Sequence, residues 1–473
     1  MIVNKNFIVV ALAGVWLTGI TAMAQPANVE AQPSGVDVKA LLKRIEELEQ
    51  KVKIIERNRE LEAEASAEKA KTAPVVSIGS GGFTFQSADT NFVLKIRGGV
   101  QADGRFYLGD TSANDTFLLR RVRPIAEGTL FEKYDFRIMG DFASGVTQTS
   151  GNNGSILDAY VNARFLPGFQ VQAGKFKEPV GLERLQSWYN LLFVERGFPT
   201  QLVPNRDTGV MVQGELFGGT INYYAGAFNG TFDGGSSDFD ASDNDKDIAA
   251  RLFFLPFKNT ASALKGLGFG VSGTYGNHDG APRSYTSHGA QRFFAYRSGV
   301  GTNAATANVL ADGNNWRVSP QGYYYFGPFG LVGEYVISSQ ELRRDAGGAP
   351  VFARLENTAW QVEMSYFLTG EQNSFKPVTP RRNFNPANGG WGALELTARI
   401  GELDVDDDSF PLFANPATSA TSAFSWGVGL NWHLNRSVKT TLNFEHTDFK
   451  DGASAPATAQ DENVLLGRVQ VFF

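Results

Sequence analysis

Residues 92–106 read FVLKIRGGVQADGRF, and polar and apolar side chains alternate along this stretch. Lys95, Arg97, Asp103 and Arg105 occupy odd positions, whereas the even positions carry apolar residues or glycine. Successive side chains of a β-strand point to opposite faces. The stretch therefore predicts a strand with one apolar face and one face that carries three cations.

The same two-residue period recurs through residues 83–473. Each alternating segment runs for about ten residues, which is the length of a tilted transmembrane strand. We count about sixteen such segments. They begin near residues 92, 116, 134, 155, 168, 208, 219, 246, 266, 315, 329, 355, 391, 421, 436 and 461.

The links between the segments fall into two classes. The tight links are FEK, LPG, GG, GP and LNR, whereas those on the other side are mostly longer and polar. Short turns at one end and long loops at the other are typical of outer-membrane barrels. We predict an all-β fold, an antiparallel transmembrane barrel of about sixteen strands over residues 83–473. A soluble β-sandwich also alternates, but it has no reason to segregate its loops by length. Links 258–265 and 370–389 are longer than this pattern explains.

The chain ends in RVQVFF, with Val469, Val471 and Phe473 on one face of the last predicted strand. A terminal Phe behind alternating apolar residues is the feature by which outer-membrane barrels are recognised for insertion. We predict that these three residues are the assembly signal and that barrel-assembly machinery is a partner. The apolar face would then meet outer-membrane lipids and lipopolysaccharide.

The N-terminus has the features of a targeting segment. Lys5 precedes the apolar run FIVVALAGVWLTGI, and Ala22-Met23-Ala24 fits an A-x-A cleavage site. We predict a signal peptide over residues 1–24 and a linker over residues 25–35, and with the barrel this indicates the bacterial outer membrane. An N-terminal membrane anchor is the alternative, but the apolar run is short for one.

Residues 36–64 follow a helical period instead. Apolar residues recur in steps of three and four at Val38, Leu41, Ile45, Leu48, Val52 and Ile55. This heptad pattern predicts a short coiled coil. A single amphipathic helix lying on another surface is the alternative. Residues 65–82 are predicted to be a linker before the barrel.

The composition excludes several classes of function. The 473-residue chain has a formal net charge of −6 and contains no cysteine. It therefore offers no overall basic surface for nucleic acid and no thiol chemistry. The histidines are scattered without ligand spacing, and we find no nucleophile–base pair. We predict no enzyme activity, no cofactor and no metal.

The predicted lumen face carries charges of both signs. Its cations begin with Lys95, Arg97 and Arg105 on the first strand and continue on most later strands. The further charged residues assigned to the lumen are Arg121, Arg123, Arg137, Arg164, Arg251, Arg317, Arg399, Arg468, Asp103, Glu127, Asp135, Asp141, Asp158, Asp247, Glu334, Glu363 and Glu395. One interpretation is that they only solvate the lumen and pair across strands. Arg120 falls on the apolar face, which indicates either an interface or a shift of register.

The third long link, residues 177–207, is less polar than a solvent-exposed loop. Its cations, Lys177, Arg184, Arg196 and Arg206, are interspersed with aromatic and leucine side chains. A long apolar loop in a barrel is best explained by insertion into the lumen. There it would narrow the pore and hold its cations at a constriction that selects anions.

From about residue 90 to residue 473 the chain resembles the phosphate-selective porin family (porins O and P). FLLRRVRP (117–124) resembles the paired-arginine strand, with Arg120 and Arg121 at the pair, and ILDAY resembles the Asp-bearing strand at Asp158. DIAARLFFLPF resembles the strand of the family's arginine ladder and places Arg251 on it. The TGE at 369–371 and the terminal Phe also fit.

GLERLQS and FVER resemble the family's constriction loop. Its basic, serine and arginine residues would fall on Arg184, Ser187 and Arg196. Asp135 stands where the family has a constriction lysine. Lys177 and Arg123 stand at positions where the family has aromatic or small polar residues.

We therefore predict a porin for passive diffusion of small inorganic anions, phosphate or similar oxyanions. The predicted constriction residues are Arg121, Arg123, Asp158, Lys177, Arg184, Ser187 and Arg196, and the predicted pore-lining residues are Lys95, Arg97, Arg105 and Arg251. The resemblance implies a homotrimer with a three-stranded coil, whereas the β-branched seam favours two strands. A general non-specific porin and a structural protein tethered through its coil are the alternatives.

Overall fold

The computed structural model describes residues 37–109, 113–143, 154–238, 244–298, 308–344, 349–452 and 461–473. The predicted signal peptide and the linker over 25–35 lie outside these residues. No helix in the described ranges is both long enough and apolar enough to cross a membrane. The chain divides into two compact units, with the boundary between Ala70 and Lys71.

Sixteen strands form a closed antiparallel barrel, which confirms the predicted strand count. Each strand pairs with the next barrel strand along the chain, and the last pairs with the first between Asn463↔Leu108 and Phe472↔Gly99. Closure satisfies the backbone without a free edge, as a spanning sheet in lipid requires. The barrel strands are β3 (Phe92–Leu108), β4 (Thr116–Leu130), β5 (Tyr134–Asp141), β6 (Ser155–Leu166), β7 (Phe169–Lys177), β8 (Arg206–Leu216), β9 (Ile221–Phe228), β10 (Asp247–Phe254), β11 (Leu267–Gly280), β14 (Val309–Phe326), β15 (Phe329–Arg344), β16 (Val351–Phe367), β17 (Ala393–Asp404), β18 (Ser422–His433), β19 (Val438–Lys450) and β20 (Asp461–Phe472).

Most barrel strands begin within two residues of their predicted positions. The exceptions are β14 and β16, which begin earlier, at Val309 and Val351. In β14 the pairing with β15 shifts between Ala311 and Asn315. The irregularity interrupts the alternation there, and the sequence pattern therefore indicated only the regular part of β14.

The barrel wall carries apolar side chains on its outer face and polar side chains on its inner face, which is the reverse of a soluble protein. On β18, Trp426, Val428 and Leu430 point outward and are 40%, 50% and 39% exposed, whereas Ser425 and Asn431 point inward and are buried. Apolar side chains facing outward from a closed sheet suit a lipid environment. The predicted faces are confirmed on this strand.

Arg120 is the extra residue of a β-bulge. Gln101 pairs with Arg121, and Ala102 pairs with Leu119, so that Arg120 has no partner on β3. A bulge re-aims a side chain at the point where the register shifts. Of the two alternatives for Arg120, the structure shows the shift of register, and both Arg120 and Arg121 reach the interior.

The N-terminal helix α1 spans Val38–Thr72, past the predicted end at residue 64. The linker predicted over residues 65–82 was therefore wrong. The helix continues because Ala, Glu and Lys favour it, and the hairpin β1 (Val75–Gly79) and β2 (Gly82–Gln86) follows, with β2 pairing with β3. Leu41, Ile45, Leu48 and Val52 are 50–53% exposed. The coiled coil stays a prediction.

Short elements occupy several links. The link between β7 and β8, residues 178–205, contains α2 (Leu182–Leu185) and a 3₁₀ turn (Phe198–Gln201), and the link between β11 and β14 contains the hairpin β12 (Tyr285–Thr286) and β13 (Arg292–Phe294). Further 3₁₀ turns are Phe217–Gly219, Ala263–Gly266, Pro386–Asn388 and Asp407–Ser409.

Candidate anion pathway

Residues 178–205, called the inserted loop from here on, lie inside the barrel. Val180, Leu182, Phe193, Val194 and Phe198 are at most 1% exposed. They pack against inward-facing side chains of several strands. The apolar composition of the loop is explained by this burial, because the side chains exchange water for the wall.

The loop backbone is held by side chains of the surrounding strands. Each anchor satisfies a polar group that would otherwise be buried without a partner. The anchors on β3, β15, β17, β18, β19 and β20 are Gln101 Nε2 to Trp188 O (3.2 Å), Leu182 N to Glu334 Oε1 (2.7 Å), Arg399 Nη1 to Glu195 O (2.9 Å), Asn431 Nδ2 to Leu192 O (3.0 Å), Lys439 Nζ to Leu191 O (2.7 Å) and Gln470 Nε2 to Tyr189 O (2.8 Å).

Three predicted lumen cations are neutralised by close carboxylates. Arg468 bonds Asp103 through two 2.7 Å contacts, and Arg399 bonds Glu445 at 2.7 and 2.9 Å. Arg317 bonds Asp233 at 2.7 Å. All three arginines are at most 4% exposed. The interpretation that charges inside the barrel pair with one another describes these three, with Asp103 and Glu445 on strands and Asp233 in the link between β9 and β10.

A cavity of about 280 Å³ lies between the inserted loop and β4, β7 and β8. We call it the cation cavity. Thr286, Ser287 and His288 of the long link after β11 also line it. Its charged lining residues are Arg120, Arg121, Arg123, Lys177, Arg184, Arg196, Arg206 and Glu195. The structure thus gathers predicted residues of the wall and of the loop around one space.

Three of these cations have carboxylate partners. Arg120 bonds Glu195 at 2.6 Å, Arg123 bonds Asp141 at 2.7 Å and Arg206 bonds Asp158 at 2.7 Å. The other four have no carboxylate within 4.0 Å in the described ranges and bond neutral oxygens instead. These contacts are Arg121 Nη1 to Gln101 Oε1 (2.6 Å), Lys177 Nζ to the carbonyls of Arg184 (2.5 Å) and Gln186 (3.0 Å), Arg184 Nη2 to Thr200 O, and Arg196 to the carbonyls of Glu183 (3.2 Å) and Gln186 (3.0 Å).

The loop arginines Arg184 and Arg196 bond carbonyl oxygens and no carboxylate among the described residues. Burial, together with the charge of Arg196, lowers the pKa of Arg184 to about 9. Burial also lowers the pKa of Arg196 to about 10, with Glu183 opposing the shift and Arg206 adding to it. Both values remain above neutral, so both guanidinium groups stay charged. A bound anion would compensate that charge.

Glu195 is the carboxylate of the cation cavity. It accepts hydrogen bonds from Arg120 Nε at 2.6 Å, Arg120 Nη2 at 3.1 Å and Arg105 Nη2 at 2.7 Å. Burial opposes its ionisation, but Arg120 and Arg105 lower the pKa of Glu195 well below its usual range. It is therefore an ionised carboxylate within a group of arginines.

A second cavity, of about 430 Å³, shares Lys177, Trp188 and Arg206 with the first. We call it the aromatic cavity. It is bordered by the predicted Asp158, Ser187 and Arg251 and by Arg137. Its aromatic lining residues are Tyr160, Phe176, Trp188, Tyr224 and Phe375. The shared residues make the two cavities neighbours within the barrel.

Residues 94–473 match the sequence profile of the family described as phosphate-selective porin O and P. The chain belongs to this porin family. It is accordingly an outer-membrane channel protein and not an enzyme. Among curated proteins, none matches this porin.

Several solved barrels share the fold of this porin. The outer-membrane channel DcaP of Acinetobacter baumannii is 13% identical with a TM-score of 0.52, over 82% of this chain and 99% of that one. The trimer form of OmpT of Vibrio cholerae is 12% identical with a TM-score of 0.50, over 81% and 99%. Salmonella typhi OmpF, solved with daunomycin, is 9% identical with a TM-score of 0.51, over 84% and 100%. At these identities the similarity extends to the fold.

The predicted pore-lining residues are distributed over separate regions of the porin. Arg97 bonds Glu127 at 2.8 Å, Arg105 bonds Glu195, and Arg251 borders the aromatic cavity. Lys95 is exposed near the start of β3. Asp135 bonds Arg164 at 2.7 Å and lines neither cavity.

Sequence reasoning missed several members of the cation cavity, among them Glu195 and His288. Glu195 directly precedes the predicted Arg196, and only the course of the inserted loop shows that both reach the cavity. His288 was among the histidines considered scattered. It stacks on Phe198 of the inserted loop, with ring centroids 4.4 Å apart. No local pattern indicates that the link after β11 also enters the barrel.

Proposed function

We propose that this porin conducts small anions by passive diffusion and binds oxyanions such as phosphate at the cation cavity. The observation that supports this is the group of seven cations around one carboxylate, four of them without a carboxylate partner in the described ranges. Guanidinium groups offer planar paired donors to an oxyanion. Rings of Arg and Lys at a constriction favour anions over cations.

The four cations without a carboxylate partner among the described residues are held by neutral oxygens, and this matters for conduction. Arg184 and Arg196 bond backbone carbonyls and Lys177 does the same. These contacts fix the donors in place without neutralising them. Conduction requires binding that is favourable yet weak enough for release, and the nearby ionised Glu195 and Asp158 lower the net field.

The test is electrical recording of the purified porin in planar bilayers. Replacing Arg184 and Arg196 together by alanine is expected to shift the zero-current potential in a KCl gradient toward cation preference. Block of chloride current by phosphate should be lost. The reason is that two uncompensated charges leave the narrow space. Arg164→Ala is the matched control, because Arg164 is a 43% exposed lumen-side arginine outside the cavity.

Retention of anion preference and phosphate block by the double variant would mean a general porin whose arginines only solvate the wall. Arg468 is unsuitable as a control, because its removal leaves Asp103 buried without its partner.

We further propose that the porin is a homotrimer embedded in outer-membrane lipid and lipopolysaccharide, assembled by the barrel-assembly machinery. The exposed outward apolar residues support the lipid environment. The Vibrio cholerae barrel of the same fold is described as a trimer. Val469, Val471 and Phe473 are 54%, 42% and 40% exposed, on the outer face, and so remain accessible to an assembly factor.

A further inference from the structure

Arg251 is a lumen cation whose surroundings differ from those of the cation cavity. It is 9% exposed, and it has no carboxylate within 4.0 Å among the described residues. Its Nε and Nη2 donate to Gln321 Oε1 at 3.2 and 3.1 Å. The third nitrogen, Nη1, makes no hydrogen bond to a described residue. Arg251 thus offers a free donor and an uncompensated charge to the aromatic cavity, which it lines.

Aromatic rings surround this guanidinium. Its carbon lies 4.4 Å from the ring centre of Phe253 and 5.7 Å from that of Tyr224. Phe253 contacts Tyr323 at 5.3 Å, and Tyr323 stacks on Phe375 at 5.4 Å and 20°. The rings hold the guanidinium by cation–π contact and leave its edge for an anion.

Phe375 reaches this array from the long link after β16. Its carbonyl accepts a hydrogen bond of 2.9 Å from Asn190 Nδ2 of the inserted loop. The link, whose length the barrel pattern did not explain, therefore enters the barrel and contacts the inserted loop. Tyr160, Tyr224 and Phe375 line the aromatic cavity and are only partly buried.

We propose that the aromatic cavity is a second binding site, and that it takes oxyanions that carry a planar ring. A bare inorganic anion gains nothing from ring faces, whereas an aryl oxyanion places its charge at Arg251 and stacks its ring on the aromatic lining. The volume of about 430 Å³ lies within the range of small-molecule sites. The inference rests on the proposed anion pathway, because the ligand must enter the same lumen.

The test compares phenyl phosphate, methyl phosphate and inorganic phosphate as blockers of chloride current through the purified porin. The two monoesters share the charged group and differ in the ring. We expect phenyl phosphate to block at a concentration about fivefold lower than methyl phosphate, the range of one favourable aromatic contact. Tyr224→Leu should remove that advantage, so that phenyl and methyl phosphate block at similar concentrations. Tyr275→Leu is the matched control, because Tyr275 points outward and is 62% exposed.

Arg251→Gln should weaken both monoesters. Equal block by phenyl and methyl phosphate in the unaltered porin would overturn the aromatic site while leaving the anion channel intact, and this comparison needs no variant to fold. An advantage of phenyl phosphate that persists in both Tyr224→Leu and Phe375→Ala would also overturn it. Absence of block by all three phosphates would overturn this inference together with phosphate binding at the cation cavity.

Discussion

Glu195 is the carboxylate that lines the cation cavity together with its arginines. Its oxygens bond Arg120 and Arg105 at 2.6 and 2.7 Å. Arg399 holds the backbone carbonyl of the same residue at 2.9 Å, so the carboxylate cannot easily leave. On the proposed function, this tethered carboxylate would order the arginines and compete with an entering anion, which would keep anion binding reversible.

Glu195→Gln is therefore expected to strengthen anion binding. The amide oxygen still accepts from Arg120, but the negative charge is gone. Removing one negative charge from a partly solvated site weakens the repulsion of phosphate. The phosphate concentration that half-blocks the chloride current should therefore be about tenfold lower in the variant than in the unaltered porin. Glu215→Gln, at an exposed carboxylate near a tight turn, is the control. An unchanged blocking concentration would show that Glu195 has only a structural role.

At the scale of elements, the inserted loop fills part of the barrel interior with buried side chains. Trp188 is a buried side chain of this loop that contacts β4 and β20. The indole is 4% exposed, packs edge-on against Phe472 at 5.8 Å, and lies under the Arg123 guanidinium at 5.3 Å. Both cavities include it in their lining.

Trp188→Ala is expected to loosen the loop and raise single-channel conductance. Truncation of a buried Trp to Ala lowers the free energy of unfolding by about 3–5 kcal/mol, which is a large effect for one loop. The strand pairing of the barrel does not depend on this side chain. Anion selectivity should fall with it, because Arg123 loses its support. Trp391→Ala, at a 62% exposed indole, is the control. A conductance equal to that of the unaltered porin would mean that the other anchors hold the loop alone.

The terminal residue belongs to the closing strand pair. Phe473 exchanges two backbone hydrogen bonds of 3.0 Å with Gly98, and its ring meets Phe83 of β2 edge-on at 6.3 Å. We expect deletion of Phe473 to lower the amount of folded barrel in the outer membrane without lowering synthesis. Heat-dependent gel mobility of membrane fractions measures this. Phe326→Ala removes another exposed outer aromatic and serves as the control; equal loss in both variants would exclude a special role of the terminus.

At the scale of the whole molecule, the barrel and α1 are separate units. The barrel sheet closes on itself, and the helix presents an apolar stripe that is about half exposed. Removal of residues 25–74 should therefore leave a conducting barrel but let the oligomer dissociate at lower temperature on detergent gels. A deletion of residues 25–35 alone keeps the helix and is the control. Failure of the barrel to form would show that α1 is part of its fold.

Some inward-facing residues of the barrel are less accessible to water than they would be in a barrel without an inserted loop. Asn431 and Gln470 face inward, yet they are 0% and 6% exposed because their amides bond the inserted loop. Cysteines at these positions should react slowly with aqueous thiol reagents, whereas one at the exposed Lys95 should react readily. Inward orientation and access to water are therefore different properties in this porin.

The sequence by itself determined the barrel, its strand count, the faces of the strands and the insertion of one loop. These properties depend on side-chain alternation and on local polarity, which neighbouring residues in the chain express directly. The doubtful position of Arg120 was also visible, because a bulge interrupts the alternation.

Only the tertiary structure decided which cations remain available. Arg399 and Arg468 look like Arg121 in sequence, but they meet Glu445 and Asp103 at 2.7 Å, whereas Arg121 meets Gln101. Each of these partners comes from another strand, and the inserted loop decides which part of the wall still faces a cavity. Such contacts join residues far apart in the chain, so no local pattern encodes them. The architecture is set by periodicity, and the site is set by which charges the fold leaves unpaired.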